Sequence, residues 1–251
     1  MAVKLNKIIS RRRAFFLAYD QGLEHGPSDF NDKNVNPSYI IKIAKEGNFD
    51  GIIFQKGIAE KYKNEIKASK IPLILKLNGK TSLYKGEPIS SQLCSVKEAI
   101  ALNAKSVGYT IYIGSEHESK MFQEFEKIEK EAHKNSLQVI AWIYPRGSSI
   151  EGKDEGKLMA YSARVGLELG ADIVKLHYNG KLKDLRWAVQ AAGKTKILVA
   201  GGEKKLEEDI LQIARDVVIS GAYGLAIGRN IWQNKNPLEL TKKIKENLSE
   251  K

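Results

Sequence analysis

Eight short apolar runs, rich in Val, Ile and aromatic residues, alternate along the chain with longer amphipathic stretches. The runs are Ala14–Tyr19, Gly51–Phe54, Leu73–Leu77, Val107–Tyr112, Val139–Ile143, Ile173–His177, Ile197–Ala200 and Gly224–Ile227. Strands that are apolar almost without interruption need burial on both faces, which predicts a parallel sheet covered by helices. The intervening helices are expected over Tyr39–Glu46, Ala59–Ala68, Val96–Lys105, Glu118–Asn135, Lys157–Leu169, Leu182–Ala192, Leu206–Ala214 and Leu238–Asn247. Ser115 with Glu118 three residues on reads as a capping box, Gly170 as a helix stop and Pro237 as a first-turn residue. Eight strand–helix alternations with no break in composition, in 251 residues, predict one domain over residues 1–251. The expected fold class is α/β, a single (β/α)8 TIM barrel. An open doubly wound sheet is the structural alternative, because no sequence pattern shows closure directly.

Composition narrows the function classes. The single cysteine, Cys94, excludes an intramolecular disulfide and a zinc cluster of thiolates. A formal charge of +11, from 41 Lys and Arg against 30 Asp and Glu, permits nucleic acid, anionic membrane or phosphorylated metabolites as partners. The cations are scattered, however, without zinc-finger spacing, a basic region leading into heptads, or the interleaved aromatics of an RNA-binding module. No nucleic-acid partner is therefore expected. The basic run Arg11-Arg12-Arg13 precedes an apolar stretch, Ala14 to Ala18, too short for a signal peptide. It reads as a solvated lead-in to the first strand, with a polyanion patch as the other reading. No segment approaches the roughly 20 apolar residues that cross a bilayer. The expectation is a cytoplasmic chain with no membrane partner.

In a barrel, the carboxyl ends of the strands and the loops after them form the active-site face. This chain places polar groups at nearly all of them, among them Asp20 to His25, Gln55-Lys56, Asn78-Gly79-Lys80, Tyr144 to Arg146 and Gly201 to Lys204. Lys175 is the most informative, because it lies inside the apolar strand Ile173-Val174-Lys175-Leu176-His177. Alternation sets Ile173, Lys175 and His177 on one face. A desolvated lysine loses proton affinity and becomes a nucleophile able to form a Schiff base with a carbonyl. The competing reading is a lysine that snorkels from the strand end or pairs with a carboxylate such as Asp20. Asp20 fits a group that orients or deprotonates substrate hydroxyls, or a turn cap. Tyr144 fits proton transfer if Lys175 lowers its pKa, or core packing with a satisfied hydroxyl. Arg146 fits an anionic substrate group or a surface ion pair.

Gly201-Gly202 and Gly228-Arg229 place flexible backbone N–H groups after the seventh and eighth strands, where barrels commonly bind phosphate, with Lys204 alongside. Gly79-Lys80-Thr81-Ser82 resembles the end of a P-loop, but position 74 is Ile rather than the required Gly, so that motif is rejected. His25, His177, Asp20 and Glu24 have no compact ligand spacing, and no metal is expected. Cys94 reads as an ordinary buried thiol.

The segments Leu17-Ala18-Tyr19-Asp20-Gln21-Gly22-Leu23-Glu24-His25-Gly26-Pro27, Leu75-Lys76-Leu77-Asn78-Gly79-Lys80-Thr81-Ser82 and Tyr144-Pro145-Arg146-Gly147 are joined by Asp172-Ile173-Val174-Lys175, Ala200-Gly201-Gly202 and Ile227-Gly228-Arg229-Asn230-Ile231-Trp232-Gln233. Together they cover essentially the whole chain, and it resembles the archaeal-type class I fructose-1,6-bisphosphate aldolases. The resemblance implies a metal-independent barrel without cofactor, commonly assembled into large ring-like homo-oligomers. It further implies Lys175 as the Schiff-base lysine, Tyr144 as the proton-transfer tyrosine and Asp20 as the carboxylate that assists carbinolamine chemistry. Trp142 matches the family's aromatic at the substrate. Gly201, Gly202, Lys204, Gly228 and Arg229 match its phosphate site, with Arg146, His25 and Lys56 as further substrate contacts. The implied reaction is reversible cleavage of fructose 1,6-bisphosphate into glycerone phosphate and glyceraldehyde 3-phosphate. A related lysine-dependent aldolase, transaldolase-like enzyme or thiolase acting on another sugar phosphate is the alternative. Where relatives often read Gly-Gly-Pro-Lys-Thr, this chain has Gly201-Gly202-Glu203-Lys204-Lys205, which sets a carboxylate near the expected phosphate with Lys205 to offset it.

Overall fold

The computed structural model describes residues 13–249. Arg11 and Arg12, and with them most of the basic lead-in, lie outside the described residues. Eight parallel strands close into a barrel: β1 (Ala14–Ala18), β2 (Gly51–Gln55), β3 (Leu73–Lys76), β4 (Ser106–Ile113), β5 (Gln138–Pro145), β6 (Ile173–Leu176), β7 (Lys196–Ala200) and β8 (Gly224–Ile227). Each pairs with its sequence neighbours, and β1 closes the ring against β8 in the register Ala14↔Gly224 to Leu17↔Ile227. The barrel, and not the open sheet, is the structure.

Strict alternation along each strand produces two cores. Phe16, Ile53, Ile74, Ile140, Ile173 and Leu198 fill the barrel interior. Their strand neighbours, such as Phe15, Leu17, Ile52, Leu75, Val174 and Val199, pack outward against the helices. Both faces of the strands are therefore dry, which is what their unbroken apolar character anticipates.

Most expected helices form, with informative differences at the ends. The predicted helix over Ala59–Ala68 is two, Lys56–Lys61 and Lys63–Ser69, broken at Tyr62. The helix expected over Val96–Lys105 stops at Ala101, and Asn103 follows with φ +58°, which ends the helical path. The helix predicted to end at Ala214 runs over Glu207–Ser220. The Ser115–Glu118 capping box does not form. Ser115 Oγ instead donates to the Pro88 carbonyl at 2.7 Å, and Glu118 Oε2 accepts from Gly114 N at 2.8 Å, so the helix Glu118–Lys134 begins after His117. The reciprocal box is made by Ser95 and Glu98 at the start of Val96–Ala101. Gly170, φ +81°, follows the helix Glu155–Glu168, and Pro237 opens the helix Pro237–Leu248. Among the described residues no helix is long and apolar enough to cross a membrane.

Two buried contacts hold the strand ends that carry the site. Trp232 Nε1 donates to the Ala18 carbonyl at 3.1 Å, and the indole packs against Tyr19 and Phe30, which ties the last strand's loop to the first strand. Asn78, fully buried, donates to the carbonyls of Ser90 and Thr110, both at 2.8 Å, and accepts from Thr110 N at 2.8 Å. It joins the end of β3 to β4. Replacing Asn78 with Ala strands three backbone groups in a dry interior, and each orphaned group costs about 1–3 kcal/mol. Asn78→Ala is expected to lower the urea midpoint of unfolding markedly, as followed by circular dichroism.

Candidate active site

The carboxyl ends of the strands enclose a cavity of about 510 Å³, lined from the floor by Lys76, Trp142 and Lys175 and from the rim by Glu24, Arg146 and Arg229. Lys175 stands on β6 with Ile173 below it, and His177 beyond the strand end also faces the cavity. Its side chain is almost wholly buried, and its ammonium lies 5.1 Å from the centre of the Trp142 ring. Among the described residues Lys175 Nζ makes neither hydrogen bond nor ion pair. Burial pushes its pKa down to about 8, Lys76 adding to the push while Asp20 and Glu24 oppose it. A lysine of that pKa is about one-tenth free amine at pH 7, against well under one-thousandth for an ordinary one.

Asp20 follows β1 and pairs with Lys76, Nζ to Oδ2 being 3.3 Å. Burial alone would favour its neutral form, but the Lys76 and Lys175 ammoniums hold its pKa below the usual carboxylate range. Trp142 lies under both lysines, with Lys76 Nζ 5.2 Å from the ring centre. The indole occupies the space beside Gly108 on β4, where a Cβ would meet ring atoms at 1.7 Å.

Tyr144, at the end of β5, stacks on His177 with ring centres 4.3 Å apart. The expectation that Lys175 lowers its pKa is corrected. Burial, and then the charge of Asp20, raise it well above 10, so the phenol carries its proton in the free enzyme. Burial, with the cations Lys175 and Arg146, holds His177 below the ordinary imidazole range. Arg146 donates to Glu24 Oε1 at 2.8 Å and covers the rings of Tyr112 and Tyr144 at 5.3 and 5.8 Å.

Across the mouth, Gly201, Gly202, Glu203, Gly228 and Arg229 line the cavity. Gly202 has φ +65° and open space where a Cβ would stand, so its backbone is bare toward the cavity. Arg229 donates to the Gly202 carbonyl at 3.2 Å and pairs with Asp29 at 3.4 Å. Asn230, buried beneath, donates to the carbonyls of Gly201 and Glu203 at 3.1 and 2.9 Å and accepts from Lys205 N at 2.8 Å. The loop is thus held by its main chain.

The structure brings Asp20, His25, Trp142, Tyr144, Arg146, Lys175, Gly201, Gly202, Gly228 and Arg229 to one cavity. Lys204 and Lys56 do not line it. Lys204 is exposed in a shallower depression with Lys205 and Asn230, and Lys56 turns to ion pairs with Glu98 and Glu60. Gly79-Lys80 begins no helix, Gly79 lying instead in a two-residue antiparallel pair with Ser91. Burial raises the Cys94 thiol to about 11, which leaves it inert as a nucleophile at neutral pH. Among the described residues no three His, Cys, Asp or Glu side chains are grouped to hold a metal ion. Sequence reasoning singled out neither Lys76 nor Glu24 as site residues. Lys76, in Leu73-Ile74-Leu75-Lys76-Leu77, carries the same signal as Lys175, a lysine inside an apolar strand.

Gly108→Ala is expected to displace the indole on which both ammoniums rest. Overpacking of this kind costs about 1–3 kcal/mol. A lowered melting temperature together with an altered tryptophan emission spectrum checks it; an unchanged spectrum would mean that Trp142 keeps its place.

Residues 14–234 match the family model for DeoC/LacD family aldolases. A class 1 fructose-bisphosphate aldolase of Thermoproteus tenax is 47% identical over 247 residues, 97% of this chain and 92% of that protein. A Methanocaldococcus jannaschii protein, named as a fructose-bisphosphate aldolase/6-deoxy-5-ketofructose 1-phosphate synthase, is 40% identical over 86% of this chain and 74% of its own length. A solved archaeal fructose-1,6-bisphosphate aldolase, its catalytic lysine covalently bound to the carbinolamine intermediate of the substrate, matches with a TM-score of 0.91 at 47% identity, covering 96% of each chain.

Proposed function

The chain belongs to the DeoC/LacD family of aldolases, and from that premise we propose that it is a class I fructose-1,6-bisphosphate aldolase working through a Schiff base on Lys175. The observation that carries the assignment is a buried lysine on the cavity floor, without an ion pair and with its pKa near 8. The covalent lysine does the work of an electrophilic catalyst, so the reaction is independent of metal and of organic cofactor.

The free amine of Lys175 adds to the C2 carbonyl of the open-chain sugar, and the carbinolamine loses water to give an iminium. Asp20, ionised and beside both lysines, takes and returns protons during that dehydration. As the C3–C4 bond breaks, its electron pair moves into the iminium to form an enamine. The C4 hydroxyl gives up its proton, and glyceraldehyde 3-phosphate leaves. Protonation at C3 and hydrolysis then release glycerone phosphate and restore Lys175. Tyr144 holds the mobile proton at C4. In the synthetic direction its neutral phenol donates to the aldehyde oxygen as the bond forms, and in cleavage the same proton returns. The iminium places a fixed positive charge near the phenol, which favours the phenolate that cleavage needs.

The bare backbone at Gly201, Gly202 and Gly228, with Arg229, supports binding of the phosphate next to the carbonyl. Arg146 and His25, across the cavity, suit the distal phosphate. Arg146 must then exchange its hydrogen bond to Glu24 for one to the substrate. The same reading makes the protein a cytoplasmic homo-oligomer. Exposed Tyr161 and Trp187, on the packed helices Glu155–Glu168 and Leu182–Ala191, offer apolar surface for a second copy to cover.

Borohydride reduction in the presence of fructose 1,6-bisphosphate is expected to leave a stable adduct on Lys175, mapped by peptide mass analysis, whether or not a chelator is present. An adduct elsewhere, or none with any of a panel of sugar phosphates, would overturn the mechanism. Adduct formation should accelerate as pH rises through about 8, because Lys175 loses its proton there. Lys175→Met should abolish turnover. Tyr144→Phe should slow carbon–carbon cleavage at least tenfold more than it slows adduct formation, as read by rapid quench; equal losses would remove its role in proton transfer.

A further inference from the structure

The cavity floor holds two ammoniums and one carboxylate between them. Lys76 and Lys175 approach the same indole ring to 5.2 and 5.1 Å, both side chains are more than nine-tenths buried, and Asp20 lies within 3.3 Å of Lys76 alone. Two cations over one π-face, in a space sealed by the barrel wall, repel each other strongly. A symmetric sharing of Asp20 would leave each lysine half-neutralised. The structure is not symmetric: Lys76 holds the carboxylate, while Lys175 makes no hydrogen bond or ion pair among the described residues.

We propose that Lys76 is a positioning residue for the covalent chemistry: by holding the Asp20 carboxylate it keeps Lys175 unpaired next to a second cation, so that Lys175 stands as a free amine. The proposal rests on the assignment of the Schiff base to Lys175. Lys76 also fixes where Asp20 points, so that one carboxylate is available to the carbinolamine once Lys175 has reacted. Lys76 itself stays protonated, since its carboxylate partner is adjacent and ionised, and a protonated amine cannot add to a carbonyl. The division of labour between two similar lysines therefore follows from which of them Asp20 contacts.

The charged and titratable groups facing Lys175 set the expected direction. Asp20 and Glu24 come from β1 and its loop, Lys76 from β3, and Tyr144 and Arg146 from β5 and its loop. The seventh and eighth strands present Glu203 and Arg229, and His177 stands on the same strand as Lys175. Asp20 and Lys76 reach deepest. Removing the Lys76 charge takes away a neighbouring cation and releases a carboxylate to pair with Lys175. Both changes favour the protonated amine.

The test is the pH dependence of adduct formation on Lys175, measured by quenched borohydride trapping with fructose 1,6-bisphosphate. In Lys76→Met the acid limb of the profile should move up by at least about one pH unit, with a tenfold or greater loss of rate near pH 6.5 and recovery toward the parent rate above pH 9. Lys76→Arg should keep the limb in place. Lys76→Gln serves if the Met variant does not fold, as judged by circular dichroism and thermal melting. Adding Asp20→Asn to Lys76→Met should bring the limb back down, because no carboxylate is then left to pair with Lys175. A uniform loss of rate at every pH, with the limb unmoved, would overturn the proposal while leaving the Schiff base on Lys175 intact. An adduct on Lys76 in a Lys175→Met variant would overturn it too, since Lys76 would then be a nucleophile. Failure of the parent protein to trap on Lys175 would remove the assignment on which both rest.

Discussion

A closed ring of parallel strands has no free edge, and a side chain pointing inward can meet water only at one of the ring's two ends. Everything distinctive about this protein follows from that confinement. Ile, Leu and Phe fill the interior below the site, and from there Lys76, Trp142 and Lys175 rise to the carboxyl-end mouth. Ammonium groups in such a place cannot be solvated as they would be on a surface. Each must find a carboxylate or give up proton affinity. The barrel supplies one carboxylate to two lysines, and the imbalance is what generates a nucleophile at neutral pH.

Much of this is legible in the sequence, for identifiable reasons. The eight strands stand out because burial on both faces forces unbroken apolar runs. Lys175 stands out because a lysine interrupts one of them. Lys76 bears the same mark and passes unremarked, since nothing local distinguishes a nucleophile from the lysine beside it; the difference lies in a contact to Asp20, 56 residues away in sequence. Tyr144 shows the converse problem. Its place at a strand end is readable, but the sign of its pKa shift depends on enclosure and on a negative neighbour, neither of which is written nearby.

Helix ends tell a similar story. Ser115 and Glu118 have the spacing of a capping box, but Pro88, a distant residue, takes the serine hydroxyl. Ser95 and Glu98 have the same spacing and no such competitor, and there the box closes. Lys56 illustrates the limit of reading strand ends as site residues: the position is right, yet Glu98 and Glu60 lie on its other side and draw the side chain away. The +11 charge is only slightly accounted for by the cavity, whose cations are Lys76, Arg146, Lys175 and Arg229, and two of these already face acidic partners outside the floor.

The loop Gly201–Lys205 is anchored through main-chain atoms, by Asn230 reaching up from below. Its shape is thereby separated from its chemistry. Glu203, Lys204 and Lys205 can change identity without moving the peptide groups that face the cavity, which is how this chain carries a glutamate where relatives often have proline. Divergence at those three positions is therefore a route by which such barrels drift in ligand preference while the machinery on the floor stays as it is.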